Sequence, residues 1–169
     1  MAKAGQMPYA DALAAIAVEK RWSGGRKIKW RPQGKNGFPD SHKARVNLSI
    51  NGVIQEGYFL DLFHKESTLD GVPDKISFVF VVSGARIVAL DENGPSVHLN
   101  VAGKGMEHYQ KRVDHPHIHV PVEESSSGYA EPIRRVEIER LWRVFLERAN
   151  IKSAPPFNFP SESGQMELL

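Results

Sequence analysis

Ile76-Ser77-Phe78-Val79-Phe80-Val81-Val82-Ser83-Gly84-Ala85-Arg86-Ile87-Val88-Ala89-Leu90 is the stretch on which the fold turns. Residues 76–82 form the most hydrophobic run of the chain, and a continuous run of this kind predicts a central strand buried on both faces. Ser83-Gly84 predicts a turn and Arg86–Leu90 a returning strand. Further out, Asn51-Gly52 stands between two strand-like segments, Arg45–Ile50 and Val53–Phe63. That dipeptide is a strong hairpin signal, because a two-residue turn of the favoured type needs positive φ at both positions. Lys27–Arg31, Val97–Val101 and His115–Val122 read as further strands, and Pro32–Ser41, Asp91–Pro95, Ala102–Asp114 and Glu123–Tyr129 as connections.

Two helices flank this array. Tyr9, Leu13, Ile16 and Ala17 recur at helical spacing within Pro8–Arg21, and Ser23-Gly24-Gly25 ends that pattern. Near the other end Pro132 suits a helix start. Ile138, Leu141, Trp142, Phe145 and Ala149 then form one apolar stripe within Ile133–Ala149. The expectation is an α+β domain over residues 1–160: an antiparallel sheet of five to seven strands with an N-terminal and a C-terminal helix packed on it. Residues 161–169 read as a flexible C-terminal tail.

The 169 residues suit one domain with a real core. The absence of cysteine excludes a disulfide scaffold, a zinc ribbon and a thiol nucleophile. The apolar run Ala12–Val18 is too short to span a membrane and has no basic leader, so the expectation is a cytoplasmic protein with no membrane partner.

Charge is unevenly spread. Lys20, Arg21, Arg26, Lys27, Lys29, Arg31, Lys35, Lys43 and Arg45 face a single acid, Asp40, while the rest of the chain is net acidic. Trp22, Trp30 and Phe38 are interleaved with these bases. Cations beside aromatic faces match a phosphate backbone and unstacked bases, which makes Lys27, Lys29, Arg31, Lys43 and Arg45 candidate RNA or DNA contacts. The competing reading is a solvated basic edge with the tryptophans in the core.

The chemistry-bearing segment is Asp114-His115-Pro116-His117-Ile118-His119-Val120-Pro121-Val122-Glu123. Strand alternation puts Ile118, Val120 and Val122 on one face and His115, His117 and His119 on the other, with roughly 6.6 Å between successive imidazoles. Val97-His98-Leu99-Asn100 repeats the pattern, so antiparallel pairing of these two strands would gather His98, Asn100, His117 and His119 on one face. Three readings stand open. His98, His117 and His119 could bind a divalent metal, although no carboxylate is locally forced into the site. A metal-free histidine pair could cleave a phosphodiester by acid–base chemistry, so that His98, His117 and His119 are catalytic and Asn100 and His115 assist binding. The imidazoles could also be packed and hydrogen-bonded to backbone with no catalysis.

The order Phe59-Leu60-Asp61-Leu62, Arg86–Asp91, Gly94, His98-Leu99-Asn100, Pro116-His117-Ile118-His119-Val120, Glu123 and Gly128-Tyr129-Ala130-Glu131-Pro132 resembles a family of small prokaryotic and phage proteins that share H-x-N and P-H-x-H motifs. It is more distantly similar to TumE-like toxins of toxin–antitoxin pairs. The resemblance implies that His98, Asn100, His117 and His119 belong to one site and that the setting is mobile-element or phage conflict. The leading expectation is a small intracellular protein that engages a phosphate-bearing ligand, RNA foremost, through the histidine face and the basic segment, with a toxin-like ribonuclease as one form this could take. The alternatives are a non-catalytic inhibitor of a host or phage protein or of a nucleotide, and a metal-binding hydrolase.

Overall fold

The computed structural model describes residues 5–34, 39–94 and 97–160. Helix α1 (Tyr9–Ala17) leads into β1 (Lys20–Trp22) and β2 (Arg31–Pro32). The long hairpin β3 (Ser41–Ile50) and β4 (Val53–Lys65) follows, then β5 (Lys75–Val82) and β6 (Ala85–Asp91). A small ribbon, β7 (His98–Leu99) with β8 (Arg112–Val113), precedes β9 (His117–Val122) and β10 (Ser125–Pro132). Helix α2 (Ile138–Arg148) and β11 (Ile151–Lys152) complete the order. The main sheet runs β10-β9-β6-β5-β4-β3-β1-β11, with β2 beside β3, and the apolar β5 lies at its centre.

Two departures from the expected sheet follow from the chain's outer segments. Among the described residues nine strands join the main sheet instead of five to seven, and the sheet is mixed, because β1 and β11 pair in parallel. The Asn51-Gly52 turn forms as expected, with φ of 52° and 78° at its two residues.

Parity decides what each strand buries. Ala44, Leu62, Phe78, Leu90 and Ile118 are successive Cα partners across five strands, and all are buried. Helix α2 lays Leu141, Trp142 and Phe145 over this row, with the Phe78 ring centroid 4.9 Å from that of Trp142 and 5.6 Å from that of Phe145. The neighbouring odd-numbered row, Lys43, Phe63, Ser77, Asp91 and His117, points to the opposite face. So does the row Arg45, Asp61, Val79, Ala89 and His119. Basic residues and histidines therefore occupy one face, about 19 Å apart across four inter-strand spacings.

Several boundaries differ for identifiable reasons. Helix α1 stops at Ala17, short of Arg21, because the buried Lys20 ammonium turns back onto the carbonyls of Ala15, Ile16 and Val18 and closes the helix end. Residues 125–132, expected as a loop and a helix start, form β10, which takes its ladder from β9 while its serines are held by Gln6. Helix α2 accordingly begins at Ile138, with Pro132 ending a strand. The strand expected at Lys27–Arg31 is reduced to the Arg31–Pro32 pairing. Instead, residues 28–30 are clasped by Asn158, whose Oδ1 accepts from the Ile28 N–H at 2.8 Å and whose Nδ2 donates to the Ile28 carbonyl at 3.1 Å. Trp30 Nε1 donates to the Asn158 carbonyl at 2.7 Å. The expected tail at 161–169, together with Lys35 and Phe38, lies outside the described residues. Among the described residues no helix is long and apolar enough to cross a membrane.

Candidate functional site

Antiparallel pairing of β6 with β9 sets Asp91 opposite His117 and Ala89 opposite His119. Asp91 Oδ2 lies 3.3 Å from His117 Nε2 and 3.3 Å from His119 Nε2, and the two Nε2 atoms are 3.2 Å apart. Each ring is fixed from behind: His117 Nδ1 donates to the Asp114 carbonyl and His119 Nδ1 to the Ser127 carbonyl, both at 3.1 Å. A carbonyl can only accept, so both Nδ1 atoms carry hydrogen, and Nε2 is the atom each ring turns toward Asp91. The Ser77 hydroxyl donates to the other oxygen of Asp91, Oδ1. Burial opposes ionisation of Asp91, but His117, His119 and Ser77 outweigh it and hold the carboxyl well below the usual carboxylate range.

Asp91 is the member of this cluster that sequence reasoning missed. Composition places it at the start of the connection Asp91–Pro95, and no carboxylate is locally forced into the site. The local signal is its parity: it continues the alternation of Arg86–Leu90 by one residue, onto the face of Ala89.

The strand holding His98 does not pair with the histidine strand, as alternation alone suggested. It pairs with β8 in a separate ribbon, His98 opposite Val113. The His98 ring nevertheless reaches the cluster, edge-on to His119 with centroids 4.7 Å apart and 6.0 Å from His117. Asn100 brings it there. Its fully buried amide donates to the carbonyls of His108 (2.9 Å) and Ala130 (2.8 Å) and accepts from the Ala130 N–H (2.8 Å), which ties the ribbon to β10. That amide is occupied by backbone, so Asn100 positions the ribbon and does not face a ligand. His98 Nε2 donates to the Gly128 carbonyl at 3.2 Å, and burial lowers its pKa. His115 precedes β9, and its ring lies against His117 at 4.5 Å with an interplanar angle of 30°. Burial, and then the neighbouring His117, lower its pKa as well.

The basic segment divides. Lys29, Arg31, Lys43 and Arg45 line a cleft of about 820 Å³ on the open sheet face, joined there by Lys75 and Arg86 from other strands. Lys27 lines an adjoining cleft with Lys29 and Arg45. Arg45 is not a simple free cation: it makes a two-pronged pair with Asp61 at 2.8 and 3.1 Å and lies over the Phe59 ring. The tryptophans are core residues. Trp22 is 7% exposed, packs edge-on to Trp142 and donates to the Gly25 carbonyl, and Trp30 is 8% exposed. Neither offers a stacking platform, and Lys20 is spent on helix α1, so the base-stacking part of the nucleic-acid expectation fails for these residues.

A second cleft of about 390 Å³ is lined by His98, His115, His117, His119 and Asp91, together with Lys75, Ser77 and Arg86. No protein-family model, curated protein or solved structure matches this chain. The functional reading therefore rests on the site itself.

Proposed function

We propose that this protein binds RNA along the open face of its sheet and cleaves the phosphodiester backbone at the histidine–aspartate cluster. The supporting observation is continuity: Lys75, Ser77 and Arg86 line both the basic cleft and the histidine cleft. A strand held by its phosphates on Arg31, Lys43 and Lys75 would run into the cluster without leaving the face. Imidazoles are suited to the proton transfers that cleavage requires, and His98, edge-on to His119, supplies one beside the Asp91–His117–His119 cluster. RNA is favoured over DNA because its 2′-hydroxyl provides an internal nucleophile.

Turnover of end-labelled RNA tests this reading. The wild-type chain is expected to yield defined products, and His119→Ala to lose them while keeping its affinity. Arg31→Glu with Lys43→Glu should weaken binding. Retention of RNA without product would assign the face to binding alone. Absence of both would turn attention to a host or phage protein as the partner.

A further inference from the structure

We infer that Asp91, His117 and His119 hold one divalent transition-metal ion of the zinc class, through Asp91 Oδ2, His117 Nε2 and His119 Nε2. The three atoms form a nearly equilateral triangle with sides of 3.3, 3.3 and 3.2 Å. A tetrahedral zinc ion with ligands at 2.0–2.1 Å separates them by about 3.3–3.4 Å, so the triangle has the dimensions of one tetrahedral face. An octahedral ion with similar bonds would draw neighbouring ligands to about 2.9 Å.

The hydrogen bonding has the same sense. With Nδ1 of each ring committed to a carbonyl and the Ser77 hydroxyl directed at Oδ1, the two Nε2 atoms and Asp91 Oδ2 are the atoms left to converge, and in the tautomer that Nδ1 sets each Nε2 is the nitrogen able to ligate a metal. A cation is the partner such a convergence needs. Backbone carbonyls behind the histidines and a hydroxyl behind the carboxylate are the supports that orient metal ligands and set their tautomers. Two imidazoles and one carboxylate suit zinc, and discriminate against calcium and magnesium, which favour all-oxygen sites.

Three protein ligands leave a fourth tetrahedral direction, the arrangement of a catalytic rather than a structural ion. The triangle borders the cleft that also holds Lys75 and Arg86, so an anionic oxygen is the fitting fourth ligand. Only the identity of that ligand as a phosphate oxygen rests on the RNA reading; the ion-binding site stands on its own geometry.

The test uses the whole chain, stripped with chelator and without RNA. Titration with zinc, followed by calorimetry and elemental analysis, should give one ion per chain and a raised Tm, and cobalt(II) should give the intense visible absorption of a tetrahedral site. Asp91→Ala and His119→Ala should lower zinc affinity by more than about 100-fold, and Ser77→Ala, a milder change, by roughly 10–100-fold. His42→Ala, on β3 and four strands from β9 in the sheet order, should leave affinity unchanged. The inference is overturned if zinc gives no stoichiometric binding and no Tm shift, as a proton shared between the rings would produce, or if Asp91→Ala binds as tightly as wild type. Zinc binding without RNA cleavage would sink the proposed function and leave the metal site standing; cleavage by a chain that binds no zinc would do the reverse.

Discussion

Asp91 and His117 are Cα partners across β6 and β9, and their side chains meet on the face turned away from the main core, Oδ2 to Nε2 at 3.3 Å. That register contact unites two segments separated by the whole β7–β8 excursion. Removing the carboxylate leaves both imidazoles without their shared partner. Asp91→Ala is expected to reduce RNA turnover by at least about 100-fold, with the fold retained by circular dichroism. Single-turnover kinetics provide the check, and an unchanged rate would disconnect the carboxylate from the chemistry.

Binding should be governed by phosphates and not by stacking. The logarithm of the RNA association constant should fall linearly with the logarithm of salt concentration. Each of Lys29→Glu, Arg31→Glu and Lys43→Glu should remove at least about 0.7 from the slope. Trp22→Phe should leave both affinity and slope unaltered, since the ring is internal. Fluorescence anisotropy across a salt series measures all four variants. A strong loss on Trp22→Phe would reinstate the stacking idea.

Asn100 supports His98 from a distance. Asn100→Ala removes three hydrogen bonds from a buried amide and strands the Ala130 N–H and carbonyl, at a cost of about 2–4 kcal/mol in urea unfolding. If Asn100 acts by placing the ribbon, adding His98→Ala to Asn100→Ala should cost little further activity. Full additivity of the two losses would show that they act separately.

Lys20 predicts a pH effect on stability. Burial pushes its ammonium from 10.5 down to about 8. Between these values the unfolded chain holds a proton that the folded chain has released, so unfolding takes up a proton and stability rises with pH. Below pH 8 the cost of the buried charge is present in full; above about 10.5 it is gone. The increment is on the order of 3 kcal/mol, and Lys20→Met should abolish it. Urea unfolding on either side of this window, compared between the two chains, tests it, and parallel pH profiles would refute it.

The parts legible in the sequence are those whose cause is local. The Asn51-Gly52 turn depends on its own two residues, and the core row through Phe78, Leu90 and Ile118 follows from alternation within each strand. The pairing of His117 and His119 on one face is legible for the same reason. What escaped depends on partners far along the chain. Ser125–Gly128 is polar and turn-like by composition, yet β9 and Gln6 make it part of an edge strand. Parity puts Asp91 on the face of Ala89, but only the register of β6 against β9 sets it opposite His117. His98 arrives through the hydrogen bonds of Asn100 to Ala130, when strand pairing was the expected route. Lys20, one of the bases of the positively charged segment, is fully buried because three carbonyls accept from it.

The clasp between Asn158 and Ile28 joins segments 130 positions apart, whereas the histidine cluster draws on strands much nearer in sequence. Long closures carry a larger entropic barrier and come late. The two ends of the open face therefore mature on different clocks, and pulse-labelled hydrogen exchange should protect the Ile28 amide after that of Ile118. During that interval the folding chain has its histidine–aspartate cluster but not the braced rim of Lys29 and Arg31. If the proposed reading of the open face holds, a chain in that interval would capture RNA poorly even with the cluster already formed.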